Sequence, residues 1–231
     1  MKDKKMKAKA ILFDLDGTIF DITERDAFAC YEALCQLGYS VSVDEVRQHY
    51  RYGIGLMGTV RALGITLTEK ETKDYLKARF TSFTNVKNAL NLTKIHKGAY
   101  NVLSSLSKKY KLILVTSRGT LASRRGTGTV QNKKILCFDC YQRGCRKVSW
   151  SRRDTPVSFS RTKLYECVIG LTQIDPEDMV CVGDSLGELE PAKKLQIATI
   201  GVLTGISSKE DMENASIFTI QDITQLVGIL S

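Results

Sequence analysis

Histidine is scarce in this chain. Only His49 and His96 occur, and neither lies beside the acidic motifs described below, so zinc held there by imidazole has no ligands to use. Long apolar runs are missing as well. Behind the basic N-terminus MKDKKMKAKA, the apolar stretch is cut after Phe13 by Asp14 and Asp16, too soon for a signal segment or a membrane span. No membrane partner is expected, and the default address is cytoplasmic. No internal repeat is present. The seven cysteines are odd in number and scattered, which does not make a disulfide framework. Cys30, Cys35, Cys167 and Cys181 stand in apolar surroundings, where a reduced thiol serves as a small hydrophobe.

What the chain does have is length and apolar content. Its 231 residues, 43% of them hydrophobic, suffice for one full core and a smaller satellite domain. The net charge of +9 is unevenly spread: residues 119–162 hold ten Lys or Arg against Asp139 and Asp154, a local balance of +8. The remainder is close to neutral. A global basic footprint is therefore absent, and nucleic acid is not the expected partner. Nothing in the sequence sets the oligomeric state.

Short apolar runs alternate with helical patterns. ILF at 11–13, KLILVTS at 111–117, MVCVGDS at 179–185 and IATIGV at 197–202 read as buried strands. Helical spacing runs through 23–83, again through AYNVLSSLSKKY, LYECVIGL and LGELEPAKKL, and through a last segment, DITQLVGIL. The alternation predicts an α/β fold, a doubly wound parallel sheet, with 23–83 as a helical excursion. The domain reading is a core of 1–22 and 84–231, a small helical cap of 23–83, and an anomalous basic segment at 119–162. Ligands of such sheets bind beyond the carboxyl ends of the strands. Three strand ends carry polar chemistry: Asp14 with Asp16, Thr116 with Ser117, and Asp184 with Ser185.

Brought together, Asp14, Asp16 and Asp184 concentrate negative charge that a cation must offset. An all-oxygen donor set selects Mg²⁺, which also accepts a substrate phosphate as ligand. Asp14 then serves as a nucleophile toward phosphorus, giving an aspartyl-phosphate, and Asp16 as acid and base for the two halves of a hydrolysis. The Thr116 hydroxyl and backbone N–H groups at Ser117 and Arg118 are placed to bind phosphoryl oxygens.

The string ILFDLDGT, with VCVGDSLGE far downstream, resembles the haloacid dehalogenase-like superfamily, in its phosphoglycolate phosphatase and β-phosphoglucomutase branch. The resemblance covers roughly 9–118 and 163–231 and extends to PAKK and IATIGVLTG. It implies a Rossmann-like core with a helical cap and a phosphoric monoester hydrolase acting on a small phosphorylated metabolite. Asp14 is then the nucleophile, Asp16 the acid/base, Thr116 the phosphate ligand, Asp184 a metal ligand and Glu188 a support for the metal site. Substrate choice falls to the cap, where Arg51, Tyr52 and Arg61 flank a glycine-rich loop. A phosphomutase of the same branch is the alternative enzyme.

The third motif of that family, a lysine usually followed by proline, is missing. By spacing its place falls on Phe159. Lys163 and Arg161 are the nearest cations, and Lys163 is taken as the phosphate-binding candidate. The surrounding segment changes composition abruptly, with Trp150, Cys137, Cys140 and Cys145 among clustered arginines. A stretch read in a shifted frame and restored near Thr162 accounts for this. Read as it stands, the segment offers half a zinc site at the three cysteines, or a nucleic-acid contact through Phe138, Tyr141 and Trp150. A genuine loss of the lysine would leave a catalytically impaired binding protein.

Overall fold

The apolar run AILF forms β1 (Ala10–Phe13), and all four residues are buried. In the computed structural model, which describes residues 8–116, 134–137 and 160–230, the chain then passes through β2 (Phe20–Asp21) into α1 (Thr23–Gln36), α2 (Val43–His49), α3 (Gly58–Ala62), α4 (Glu69–Phe83) and α5 (Val86–Asn91). It returns through β3 (Lys94–Ile95), α6 (Ala99–Leu106), β4 (Lys111–Thr116) and β5 (Lys134–Cys137). The last third holds α7 (Arg161–Thr172), β6 (Met179–Gly183), α8 (Leu186–Lys194), β7 (Ala198–Val202), α9 (Lys209–Ala215), β8 (Phe218–Ile220) and α10 (Leu226–Leu230).

Six strands make one sheet in the order β5-β4-β1-β6-β7-β8. β1 pairs in parallel with β4 on one side and β6 on the other, with Phe13 opposite Leu114 and Val182. The strand ends bearing Asp14, Thr116 and Asp184 thus lie side by side, in the arrangement the strand pattern anticipates. One departure is β5, which runs antiparallel to β4 at the sheet edge. It is also the described part of the 119–162 segment, together with residues 160–162. The rest of that segment, including Phe138, Cys140, Tyr141, Cys145, Trp150 and Phe159, lies outside the described residues.

Strand residues alternate between two apolar layers, as a period of two requires. Ile11, Phe13, Leu112, Leu114, Val180 and Val182 face α6 and α10. Ala10, Leu12, Ile113, Val115, Met179 and Cys181 face α7, α8 and α9. A third cluster is built within the helical excursion, from Ala27, Cys30, Ala33, Leu34, Val46, Val60 and Tyr75. Capping boxes open two of its helices, Ser42 with Glu45 and Thr68 with Glu71. Helix α5 extends the excursion past residue 83, to the point where β3 pairs antiparallel with β2. Among the described residues no helix is long and apolar enough to cross a membrane.

Candidate active site

Asp14 follows β1 directly, its backbone N–H donating to the Val182 carbonyl at 2.9 Å. That bond holds its buried carboxylate at the mouth between β4 and β6. Gly17 then turns the chain with φ +82°, a conformation glycine adopts without steric cost. The same residue leaves room for Asp184: a Cβ at Gly17 would stand 2.5 Å from Asp184 Oδ2. From the other side, a Cβ at Gly205 would stand 1.7 Å from that oxygen. Asp184 therefore fits only because two glycines flank it. The Ile206 N–H donates to its Oδ2 at 3.2 Å, and the Thr204 hydroxyl donates to the Gly17 carbonyl at 2.6 Å.

These groups share one electrostatic field. Burial first, and then the Glu188 carboxylate, push the Asp14 carboxyl well above its ordinary range; Arg161 opposes the rise, and Asp184 and Asp16 add to it. Asp184 is pushed up to about 8, chiefly by burial and then by Glu188. Two acids whose charge burial and neighbouring carboxylates both disfavour mark a place where a cation is wanted.

Part of that demand is met by Arg161. Its Nη2 lies 3.2 Å from Asp14 Oδ1 and 2.5 Å from Glu188 Oε1, while Nη1 donates to the Val115 carbonyl at 2.8 Å. Burial alone would lower this guanidinium's pKa, but Asp14 and Glu188 outweigh that and hold it above its usual value. Glu188 also accepts from the Ser185 hydroxyl. Asp16 is turned toward α1, where Arg25 Nη2 meets its Oδ2 at 2.7 Å.

The residues expected at the site divide accordingly. Asp14, Asp16, Asp184 and Glu188 lie within one electrostatic neighbourhood, and Thr116 closes the strand beside β1. Ser117 lies outside the described residues. Lys163 is exposed on the first turn of α7, and the cation beside Asp14 is Arg161. Helix geometry explains the exchange: the Ser160 side chain caps α7, placing Arg161 at its first position and Lys163 two residues on, about 200° around the axis. Arg161 shares its face with the buried Leu164, Tyr165 and Val168. That i, i+3, i+4, i+7 stripe is the sequence signal pointing to Arg161.

Among the described residues, no three His, Cys, Asp or Glu side chains already form a group that could hold a metal ion. The donor chemistry nevertheless suits Mg²⁺. This ion commonly takes one or two protein carboxylates, several waters and substrate phosphate oxygens, and needs no all-protein cage. Asp14 and Asp184 offer those carboxylates.

Several solved structures share this fold. A haloacid dehalogenase-like family hydrolase from Streptococcus pneumoniae superposes with a TM-score of 0.63 at 13% identity, over 97% of this chain and 99% of its own. A predicted phosphoglycolate phosphatase from Haemophilus somnus gives 0.57 at 17% identity over 97% and 99%, and a predicted phosphatase from Clostridium acetobutylicum gives 0.58 at 17% over 95% and 96%. None of the curated proteins matches the chain. A family model described as HAD-hydrolase-like matches residues 160–226. Another, described as haloacid dehalogenase-like hydrolase, matches residues 11–138, more than half of the sequence. The chain belongs to the haloacid dehalogenase-like hydrolase family.

Proposed function

We propose that this protein is a Mg²⁺-dependent phosphatase that hydrolyses a small phosphorylated metabolite through an aspartyl-phosphate. The observation that carries the reading is the Asp14 carboxylate, buried at the end of the central strand with a guanidinium 3.2 Å from one oxygen and Asp184 close by. An oxygen of Asp14 attacks phosphorus, the bond from phosphorus to the ester oxygen breaks, and Asp16 gives that oxygen a proton. Water then attacks the aspartyl-phosphate, and Asp16 recovers a proton from it. Arg161 spreads positive charge over Asp14 and the incoming phosphoryl oxygens, the task given to lysine in the family's third motif.

Asp14 and Asp184 would hold the ion, with Glu188 supporting them, while Asp16, turned toward Arg25, is kept for proton transfer. When bound, Mg²⁺ offsets the repulsion between carboxylate and phosphate and polarises the phosphoryl oxygens. The similarity in fold to predicted phosphatases from H. somnus and C. acetobutylicum supports the choice of phosphate ester over other hydrolase chemistry. So does Asp16, since dehalogenases of the superfamily generally lack that second aspartate.

The cap and core are docked over this site. Gly53 N–H donates to the Gly205 carbonyl at 2.8 Å, and Gly55 N–H donates to the Ile206 carbonyl at 3.1 Å. The glycine-rich loop of the cap therefore grips the same loop that holds Asp184. A small substrate suits a site closed in this way. A panel of phosphate monoesters assayed with Mg²⁺ and with EDTA, on the native chain and on Asp14→Asn, tests the reading. Metal-dependent release of phosphate by the native chain alone is the expected result. Equal release by Asp14→Asn would end it.

A further inference from the structure

Arg25 stands apart from the other cations of the cap. Its side chain is 1% exposed, an uncommon burial for an arginine. The guanidinium carbon lies 3.8 Å from the centre of the Phe83 ring of α4, while Nη2 reaches out of the cap to Asp16 Oδ2 at 2.7 Å. The neighbouring Asp26 pairs with Arg79, also of α4, which fastens this turn of α1 to α4 a second time. The guanidinium is therefore fixed by cap residues on one side and engages a core carboxylate on the other. Asp16 itself sits just before the Gly17 turn, where φ is +82°.

We propose that Arg25 is a positioning residue: it aims Asp16 for proton transfer and makes that aim depend on the docked cap. The inference rests on the reading of Asp16 as the acid/base. With the cap held down by the Gly53 and Gly55 bonds, Phe83 holds Arg25 in one orientation, and Arg25 fixes one oxygen of Asp16. When the cap lifts, α1 carries the guanidinium away and the acid/base loses its direction. Proton transfer is thus coupled to closure over substrate.

The test compares leaving groups. An alkyl phosphate needs its ester oxygen protonated as the bond to phosphorus breaks, whereas p-nitrophenyl phosphate releases a stable phenolate without that help. For Arg25→Met, kcat/KM, which reports the steps up to departure of the leaving group and not the later hydrolysis of the shared aspartyl-phosphate, is expected to fall on the order of 10²-fold with the alkyl ester and by no more than about threefold with p-nitrophenyl phosphate. Arg25→Lys keeps the charge without the flat stack on Phe83 and should recover part of the loss. Phe83→Leu leaves Arg25 in place but removes its ring, and should show the same split more weakly. It also serves if Arg25→Met does not fold. An equal loss of kcat/KM with both esters in the folded variants, or no loss with either, would overturn the proposal. A native chain without Asp14-dependent hydrolysis of either ester would instead refute the parent reading, and this inference with it.

Discussion

Arg161 Nη2 stands 3.2 Å from Asp14 Oδ1, across 147 residues of sequence, and its other terminal nitrogen is anchored on the Val115 carbonyl at 2.8 Å. Helix α7 and strand β4 thus fix a cation over the central carboxylate. Arg161→Met should lower kcat/KM by roughly 10²- to 10³-fold, the range for a lost transition-state donor. Arg161→Lys, without the forked geometry, should retain part of the activity. Lys163→Met, at an exposed position, should stay within about twofold. Steady-state kinetics on the three variants, with folding checked by circular dichroism, decides between the two cations.

The nearness of Asp14, Asp16, Asp184 and Glu188 is legible in the sequence and the approach of Arg161 to Asp14 is not, and the reason is distance along the chain. The four acids belong to two short strings, each fixed by one strand end and the turn or first helical turn after it, so local order carries the information. The cation's place depends on where α7 begins. A helix taken to start near Leu164 leaves Arg161 in a loop, whereas the Ser160 cap puts it in the first turn on the buried face. The central strands were legible for a similar reason, since unbroken runs such as MVCVG have no way to be half-exposed. The antiparallel direction of β5 was not legible. KILC pairs at an edge, and its direction is set by chain connections that local composition does not encode.

The raised pKa of Asp184 sets a dependence of stability on pH. Its carboxyl titrates near 3.8 as a free group and near 8 in the fold. Below pH 3.8 the group is protonated in both states, and its contribution to stability is fully present. As pH rises toward about 8, the unfolded chain gives up the proton first, and the contribution is lost. In EDTA, the Tm of the native chain should therefore fall relative to Asp184→Asn between pH 5 and pH 8. Added Mg²⁺ should raise the native Tm at pH 8 more than at pH 5, since protons and metal compete for the same oxygens. Differential scanning fluorimetry across that range checks both, and parallel pH profiles for the two proteins would contradict the assignment.

Gly205 is the tightest point of the site. A Cβ there would meet Asp184 Oδ2 at 1.7 Å and the Asp184 Cβ at 2.3 Å, closer than any side chain tolerates. Gly205→Ala should displace Asp184 and its loop, costing about 1–3 kcal/mol of stability and weakening Mg²⁺ binding by at least tenfold. The Gly53 bond to the Gly205 carbonyl should be disturbed with it. Isothermal titration with Mg²⁺ and denaturant unfolding measure the two effects separately.

In the helical excursion, Leu34 is fully buried among Ala27, Val46, Val60 and Tyr75. Leu34→Ala should destabilise the protein by about 2–5 kcal/mol through lost burial and the cavity left behind. Because α1 also carries Arg25 to Asp16, activity should decline before global unfolding as urea is raised. Activity and far-UV dichroism followed in the same urea series test this. Coincident midpoints would argue against a cap that loosens first.

The central claim is that Asp14 itself receives the phosphoryl group. Rapid acid quenching of the enzyme during turnover of a phosphate monoester with Mg²⁺, followed by mass spectrometry of the peptide containing ILFDLDGT, measures it directly. The account predicts a phosphoryl mass increment on Asp14, absent in Asp14→Asn and in EDTA. An increment on another residue, or turnover with none detectable at any quench time, would contradict it.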